Sequence, residues 1–435
     1  MTQRAVAIAV GAAWLATLAG AARVQASGFA LDAASVKLLA TSYAGRAAWC
    51  DDASAGWYNV AGLSRTRQGS FVGTSEGYLI DLDFQATSST VYDKPVFGET
   101  DVSAGRDAWV PAFHAAWRLH PRWVVGLGVT APFGLEVYYP ADSAARYVAT
   151  KSNLLTYNVN PNISYRINEQ WSVGAGFNAM YFQAKLEQKI LVPLPVNRDG
   201  DLFVKLDSWG WGANAGVLYE PTPELRFGLA YRSQITFDLG GPAKVADVPG
   251  IGNGRVSASV TTPDSVDLSG FWQVLPQLQL LGDLQWTHWD VFQELVADFD
   301  NGLPQYRVLE DFRDTWSFGL GANYQVTPEW VLRFGWGFDQ SPVTNNNRTV
   351  RLPDSNRWLI SAGVGYQLVE SLAIDFGYLH AFFDGGTVNE TDELPGNANV
   401  QGNYSAAADV VGLQITYNFA RLFQGWDELG ARFGG

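Results

Sequence analysis

Apolar and polar residues alternate along much of the chain with a period of two. In the segment 409–419 every second residue from Val411 to Phe419 is apolar, and Gly, Gln, Thr and Asn occupy the positions between them. The segment 330–338 repeats this pattern with Leu, Phe, Trp and Phe on one face and Arg and Gly on the other. Such alternation predicts β-strands with one apolar face. That face is a core in a soluble sandwich and meets lipid in a membrane barrel.

Fourteen segments of this kind are separated by connections that are alternately short and long. The predicted strands are 66–84, 102–118, 122–136, 151–168, 171–190, 201–219, 224–239, 254–274, 277–297, 308–326, 330–341, 355–368, 371–384 and 405–419. They are longer than the roughly 5–6 residues common in globular proteins. Short turns at one side, long loops at the other and an even strand number are typical of outer-membrane barrels. We therefore predict an all-β fold, a 14-stranded antiparallel transmembrane β-barrel.

A short aromatic motif supports the membrane interpretation. The pattern Trp-x-x-Gly-x-Gly begins at Trp123, Trp171 and Trp316. We interpret the tryptophans as strand starts after short turns, which would form an aromatic girdle on one side of the membrane. The glycines are then small positions that face the lumen. A dinucleotide-binding fingerprint would need a helix after the glycines, whereas here the strand pattern continues.

The two ends of the chain differ from the strand region. Residues 1–26 combine a basic start, an uncharged stretch from 5 to 22 and small residues before Ser27, which predicts a signal peptide. A retained membrane anchor is the alternative. Residues 27–65 lack alternation, and the bore of fourteen strands is too wide to fill with its own side chains. We therefore predict an N-terminal hatch (plug) at 27–65, a barrel at 66–419 and a C-terminal tail at 420–435.

Composition excludes several functions. The 435 residues include 43 acidic and 29 basic ones, which gives a net charge of −14. An acidic chain without a basic run predicts no nucleic-acid partner, because phosphate contacts need clustered Lys and Arg. The single cysteine, Cys50, excludes a disulfide framework and is interpreted as a small packing residue. The four histidines are scattered, so we predict no metal site and no cofactor.

A series of short segments, taken in order, resembles the FadL/TodX family of outer-membrane transporters for long-chain fatty acids and other hydrophobic molecules. These segments are Ser27-Gly28-Phe29, 42–48, 51–54, 58–63, 131–135, Arg146-Tyr147 with Ser152, 263–265, 286–289, 314–317, 339–343 and 351–354. Two features depart from the family pattern. Val60 occupies the place of a proline in the family's hatch motif, and 16 residues follow Phe419, which otherwise resembles a terminal assembly signal.

The resemblance implies a passive channel in the outer membrane of a Gram-negative bacterium, not an enzyme. In the family a groove between extracellular loops captures the ligand, a pocket in the barrel receives it, and the hatch moves to release it. A kink in the third strand then opens the wall sideways. The expected partners are a hydrophobic small molecule such as a long-chain fatty acid, outer-membrane lipid and lipopolysaccharide, and the machinery that inserts barrels.

Candidate residues can be named for each step. An apolar run and a neighbouring loop predict the groove, at Ile190, Leu191, Val192, Leu194, Val196, Val248 and Ile251. Alternatively, these two loops only pack on each other. The pocket candidates are Phe29, by resemblance, and the cations Arg146, Lys151 and Arg333, because a buried carboxylate needs a cation. Arg333 has an alternative role as the ion-pair partner of Asp339.

The gating candidates lie in the hatch and in the third strand. Asn59, Val60 and Ala61 match the family's hatch motif. Pro132 removes a hydrogen-bond donor from the third strand and Gly134 weakens it further, which predicts a kink with a gap to the neighbouring strand. The alternative is that Pro132 merely ends the strand.

Three other functions stay open at this point. A related channel would carry aromatic hydrocarbons or other apolar solutes. A barrel lipase or deacylase is less favoured, because the sequence contains neither Gly-x-Ser-x-Gly nor His-Glu-x-x-His. An adhesive barrel would be expected to carry long polar loops, whereas this chain has an apolar run at 190–196.

Overall fold

The strands form a closed antiparallel barrel. The computed structural model describes residues 28–66, 68–89, 95–192, 198–391 and 399–419. The strand segments in these ranges form the fourteen strands of the barrel wall, which we call staves. Several staves consist of two segments. They are β1 (Gly69–Ser89), β2 (Pro95–Ser103 and Ala108–His120), β3 (Trp123–Thr130 and Gly134–Tyr138), β4 (Lys151–Arg166), β5 (Trp171–Val192), β6 (Arg198–Thr222), β7 (Leu225–Arg232 and Ile235–Ala246), β8 (Gly254–Thr262 and Ser265–Leu275), β9 (Leu278–Thr287 and Glu294–Phe299), β10 (Tyr306–Leu309 and Thr315–Gln325), β11 (Trp330–Asp339), β12 (Arg357–Val369), β13 (Leu372–Phe383 and Gly386–Thr391) and β14 (Asn399–Phe419).

Neighbouring staves pair along the chain, and the first and last close the ring. β1 pairs with β14 from Gly69 opposite Phe419 to Ser89 opposite Asn399. The predicted 14-stranded antiparallel barrel is therefore confirmed. The predicted signal peptide, 1–26, and the predicted tail, 420–435, lie outside the described residues. Within the described part of the chain, no helix has the length and apolar character needed to cross a membrane.

The short turns lie where the sequence predicts them. At the long-loop end, however, the strands extend further than predicted, into the segments predicted as loops. The predicted loop 240–253, for example, contains the end of β7 at Ala246. The alternation continues beyond the predicted strand end, with Leu239 and Ala243 buried inside. One predicted strand is interrupted instead: the stretch 277–297 contains a 3₁₀ turn at Trp289–Val291, which separates the two segments of β9.

Aromatic side chains mark both edges of the outer surface. At the short-turn end, Trp123 packs on Tyr165 at 4.4 Å between ring centroids, and Trp171 packs on Tyr219 at 4.3 Å. The prediction that Trp316 belongs to the same girdle is wrong. Trp316 lies near the start of β10, which descends from the long-loop side, so it belongs to the opposite edge. The third Trp–Tyr pair at the short-turn end joins Trp330 of β11 to Tyr366 of β12, with ring centroids 4.4 Å apart.

The glycines of the motif face the lumen, as predicted, and the N-terminal segment packs against them. A side-chain carbon at Gly174 would lie 2.6 Å from the backbone nitrogen of Ala61, and one at Gly319 would lie 2.7 Å from the backbone oxygen of Ser42. Only glycine permits such close approach. Residues 28–66 therefore occupy the interior, with helices α1 (Val36–Leu39) and α2 (Ala55–Tyr58) and a 3₁₀ helix at Val60–Arg65.

Buried ion pairs fasten this segment to the wall. The Nε atom of Arg46 lies 3.0 Å from Asp283 and 3.3 Å from Asp267, which belong to β9 and β8. Within the segment, Lys37 contacts Asp52 at 3.0 Å. Burial raises the pKa of the Cys50 thiol to about 12, in agreement with a small packing residue.

Candidate functional site

An apolar cavity lies in the upper half of the barrel. Inward positions of β5 and β6 supply one wall, because alternate residues of a strand face the same side. Segments of β7 to β10 supply the other. The apolar lining residues include Leu154, Phe182, Ala184, Leu186, Leu202, Val204, Leu206, Leu239, Ala258, Val260, Leu295, Ala297 and Phe299. Such a lining favours a hydrocarbon over a polar solute.

The polar residues of this cavity include a buried cation. Arg351, in the connection between β11 and β12, is only 6% exposed. Its guanidinium donates to Ser152 Oγ at 3.0 Å, to the Val148 carbonyl and to Gln188 Oε1. Its Nε atom has no hydrogen-bond partner, and among the described ion pairs none within 4.0 Å joins Arg351 to a carboxylate. The guanidinium therefore retains an unused donor beside an apolar cavity.

A buried carboxyl group lines the same cavity. Glu310 lies in the link between the two segments of β10, and its Oε2 atom has no hydrogen-bond partner. Burial, followed by the nearby Glu390 charge, raises the pKa of Glu310 to about 8, against an opposing effect of Arg351. At neutral pH this carboxyl is mostly protonated, so the cation dominates the charge of the cavity.

Five aromatic rings separate the upper cavity from a second one below it. We call Phe29, Phe133, Trp289, Phe292 and Phe312 the aromatic partition. The Phe29 ring lies 4.9 Å from Trp289, 5.6 Å from Phe133 and 5.7 Å from Phe292, and Phe312 lies 5.0 Å from Phe292. Phe29 lines the upper cavity, whereas Phe133 and Trp289 line the lower one.

The third stave is interrupted at the predicted position. Its ladder with β2 ends where Val129 opposes Phe113, and its ladder with β4 skips from Thr130 to Gly134. Pro132 on β3 and Pro111 on β2 both lack a backbone N–H at this point, so they cannot extend the ladder. The first segment of β3 ends at Thr130, and the second begins at Gly134 and pairs with β4, so the chain returns to the wall after Pro132.

The N-terminal segment covers this interruption from inside. Leu31 N donates to Pro132 O at 2.7 Å, and Gly134 N donates to Phe29 O at 2.9 Å. The backbone groups freed by the missing strand partner are thus paired with the plug instead of the wall. A movement of residues 29–31 would expose them.

The three cations predicted for the pocket lie elsewhere. Arg146 is buried against Asp199 at 2.9 Å. Lys151 lies 3.6 Å from Glu136, and neither cation lines the upper cavity. Arg333 faces a third, polar cavity at the short-turn end and pairs with Asp375 at 2.8 Å.

The predicted pairing of Arg333 with Asp339 is therefore wrong. The two residues share β11, and Asp339 contacts Arg357 of β12 instead. Residues 333 and 339 lie six positions apart on an extended strand, about 20 Å at 3.3 Å per residue. Sequence reasoning also missed Arg351. The segment 351–354 places this arginine next to Leu352, but the residues that hold it, Ser152 and Gln188, belong to the distant strands β4 and β5.

The predicted groove is only partly described. Ile190, Leu191 and Val192 are not in an open loop, because β5 continues to Val192 and pairs with residues 198–200. Ile190 and Val192 are buried, so the expectation of an exposed run is wrong for them. Leu194 and Val196 lie outside the described residues.

The second loop of the predicted groove contacts the first. Val248 packs closely on Gly200. A side-chain carbon added at Gly200 would lie 2.4 Å from Cγ2 of Val248. Ile251 is half-buried against the apolar core. This contact agrees with the alternative that the two loops pack on each other.

The predicted hatch residues bind the N-terminal segment to the wall. The Asn59 amide donates to Val217 O of β6 at 3.0 Å and to Ala47 O at 2.7 Å. The Asn59 side-chain oxygen accepts a hydrogen bond from Ala61 N at 3.1 Å. Val60 is fully buried against Gly174 of β5. These contacts hold the lower part of the segment in place.

Comparison with known proteins decides the family. The model of the outer membrane protein transport protein family (OMPP1/FadL/TodX) matches residues 17–419. This chain belongs to that family. It is accordingly an outer-membrane protein of a Gram-negative bacterium, and the predicted resemblance to FadL/TodX is confirmed.

Individual relatives extend over most of the chain. A long-chain fatty acid transport protein of Escherichia coli O6:H1 is 30% identical over 411 residues, which cover 86% of this chain and 90% of that protein. Outer membrane protein P1 of Haemophilus influenzae is 26% identical and covers 93% of this chain and 98% of its own. The crystal structure of a Pseudomonas aeruginosa FadL homologue superposes with a TM-score of 0.83 at 24% identity, over 90% of this chain and 100% of that one. The toluene transporter TodX of Pseudomonas putida has a TM-score of 0.70 at 17% identity, over 91% and 100%.

Proposed function

We propose that this FadL/TodX-family protein is a channel for passive uptake of long-chain fatty acids across the outer membrane. The observation that carries the proposal is the upper apolar cavity, which contains the buried Arg351 with an unused donor. The fatty acid transport proteins among its relatives support the same substrate class. No catalytic step is part of the proposal.

The cavity accounts for both parts of such a ligand. Each methylene group transferred from water contributes about 0.8 kcal/mol, so a long hydrocarbon chain supplies most of the binding energy. A carboxylate, in contrast, is costly to bury without a charged partner. Arg351 offers that partner, because its guanidinium is already desolvated and fixed by Ser152 and Gln188.

The route from this cavity passes the aromatic partition. Displacement of Phe29 joins the upper cavity to the lower one, which reaches Pro132 and Phe133 at the interruption of β3. Lateral release through the wall between β2 and β3 then delivers the ligand to the membrane. Asn59, Val60 and Ala61 anchor the part of the plug that stays in place during this movement.

Uptake by cells tests the proposal. Gram-negative cells that lack their own transporter are given radiolabelled oleic acid, with and without this protein, and the Arg351→Met variant is compared. We expect the wild type to restore uptake and the variant to lose most of it. Uptake of labelled toluene, but not of oleic acid, would replace the proposal with an aromatic hydrocarbon channel.

A further inference from the structure

The lysines of this acidic chain are concentrated on one side of the barrel. The sequence contains seven lysines, and five of them lie between residues 151 and 244, on β4 to β7. They are Lys151, Lys185, Lys189, Lys205 and Lys244. On β5 and β6 the even-numbered neighbours Ala184 and Val204 line the upper cavity. Lys185 and Lys205 therefore point away from the lumen, since side chains alternate along a strand.

We call the surface that carries these five lysines the lysine face. It lies just above the upper aromatic edge. Tyr181 opposes Trp209 across β5 and β6, with ring centroids 5.5 Å apart, and Trp209 is exposed. Lys185 opposes Lys205 four residues further toward the long-loop side. Four residues span about 13 Å along a strand, or roughly 10 Å along the membrane normal for a strand tilt of about 40°. Aromatic residues of this kind lie at the lipid headgroup level.

The charges on the lysine face are only partly compensated. Lys151 lies 3.6 Å from Glu136, Lys205 lies 3.6 Å from Asp207, and Lys189 contacts Asp201. Among the described ion pairs, none brings a carboxylate within 4.0 Å of Lys185 or Lys244, although Glu187 is on the same face. Two like charges directly opposite on neighbouring strands are unfavourable. An anion between Lys185 and Lys205 would remove that repulsion.

A neighbouring part of the wall, separated from β4 only by β3, carries acids at a similar height. On β1, Asp81 and Asp83 are exposed. Asp81 lies four residues beyond Gly77 toward the long-loop side, and Gly77 opposes the exposed Trp109 of β2. Asp101 of β2 is exposed beside them. A phosphate would be repelled from this face and attracted to the lysine face. The acidic face also adjoins the interrupted ladder between β2 and β3.

We propose that the lysine face of β4 to β7 binds the phosphate groups of lipopolysaccharide, the glycolipid of the outer leaflet. Lys185, Lys205 and Lys244 contact the phosphates, and the aromatic rings of Tyr181 and Trp209 below them contact the acyl chains. The acids of β1 and β2 keep the same lipid away from the wall interruption. This proposal does not depend on the identity of the transported solute.

Lipid binding to the purified barrel tests this site. The wild type in detergent is titrated with bisphosphorylated lipid A and with the same lipid after removal of both phosphates, and binding is measured by native mass spectrometry. We expect the wild type to prefer the phosphorylated lipid and to lose that preference at high salt. Each lysine near an anionic surface contributes a factor of about five, so Lys185→Gln, Lys205→Gln and Lys244→Gln together should weaken binding roughly 100-fold.

Two variants control for charge and for folding. Arg255→Gln with Arg307→Gln removes exposed cations from the same rim on β8 and β10, and should leave binding unchanged. Replacing Lys185, Lys205 and Lys244 by arginine should retain binding of the phosphorylated lipid. Resistance of the folded barrel to detergent on unheated gels confirms that each variant is intact. Equal binding of both lipids by the wild type, or equal binding by the glutamine triple variant and the Arg255/Arg307 variant, would overturn the proposal.

Discussion

Replacing Arg351 by methionine removes the charge from the upper cavity but keeps a flexible apolar side chain of similar length. In the wild type the Arg351 guanidinium is held by Ser152 Oγ at 3.0 Å and by Gln188, and its Nε atom remains available. Removing one partner of a buried, hydrogen-bonded charge pair costs about 2–5 kcal/mol. At 1.4 kcal/mol per factor of ten, carboxylate affinity should fall roughly 30-fold to several thousand-fold.

The assay compares two ligands that differ only in the head group. Palmitic acid and the corresponding fatty alcohol each displace a fluorescent fatty acid from the protein in detergent. Because the chain contacts are unchanged, we expect the alcohol to lose less than about threefold in affinity, equivalent to less than about 0.7 kcal/mol. The Arg351→Lys variant should recover part of the acid's affinity, since a point charge replaces the guanidinium fork.

A matched control comes from the same connection. Arg348 is buried as deeply as Arg351 and donates to Asp354 O at 3.0 Å, but it does not line the upper cavity. Arg348→Met should therefore leave the ratio of acid to alcohol affinity unchanged. If Arg351→Met weakens both ligands equally, the residue only supports the connection between β11 and β12. If neither ligand is affected, the carboxylate binds elsewhere.

Three further predictions follow from the site. Ionisation of Glu310 above its raised pKa of about 8 places an anion beside Arg351. The affinity for dodecanesulfonate, which stays ionised, should therefore fall as pH rises from 7 to 9. In the Glu310→Gln variant this affinity should stay constant, and a parallel fall in the variant would contradict the role of Glu310. Arg46→Met leaves buried carboxylates unpaired at a cost of about 3–5 kcal/mol, so single-channel conductance should increase, whereas wild-type conductance would show that the plug is held by other contacts. Pro111→Val with Pro132→Val restores two ladder donors; uptake should slow several-fold at unchanged ligand affinity, and normal uptake would exclude exit through this interruption.

The barrel was predictable from sequence because its signals are local. Alternation and turn length require only neighbouring residues, so the staves and the break at Pro132 were found. Where a position depends on strand direction, the same patterns misled. Trp316 shares the motif of Trp123, yet it lies at the opposite membrane edge because β10 descends while β3 ascends. The direction of a strand depends on every connection before it.

The cation of the cavity was not predictable in this way. Arg351 donates to Ser152, which is 199 positions away in the sequence. Arg333 and Arg351 both neighbour apolar residues, and nothing local distinguishes the one that Asp375 neutralises. Assigning a free cation requires the register of several staves at once, and Ile190 shows how a shift of a few residues in a strand end turns an exposed position into a buried one.

The N-terminal residues 28–31 connect the ligand cavity to the wall. Gly28 N donates to Asp354 Oδ2 at 2.8 Å, in the connection that carries Arg351, while Leu31 N donates to Pro132 O at the interruption of β3. Between them, Phe29 belongs to the aromatic partition. A ligand shifts such an arrangement only as far as it binds one state more tightly than the other. A carboxylate drawn to Arg351 competes for space with Phe29, so displacement of Phe29 would loosen the contacts at Asp354 and Pro132 together. Filling of the upper cavity and opening of the wall would then be a single movement of four residues.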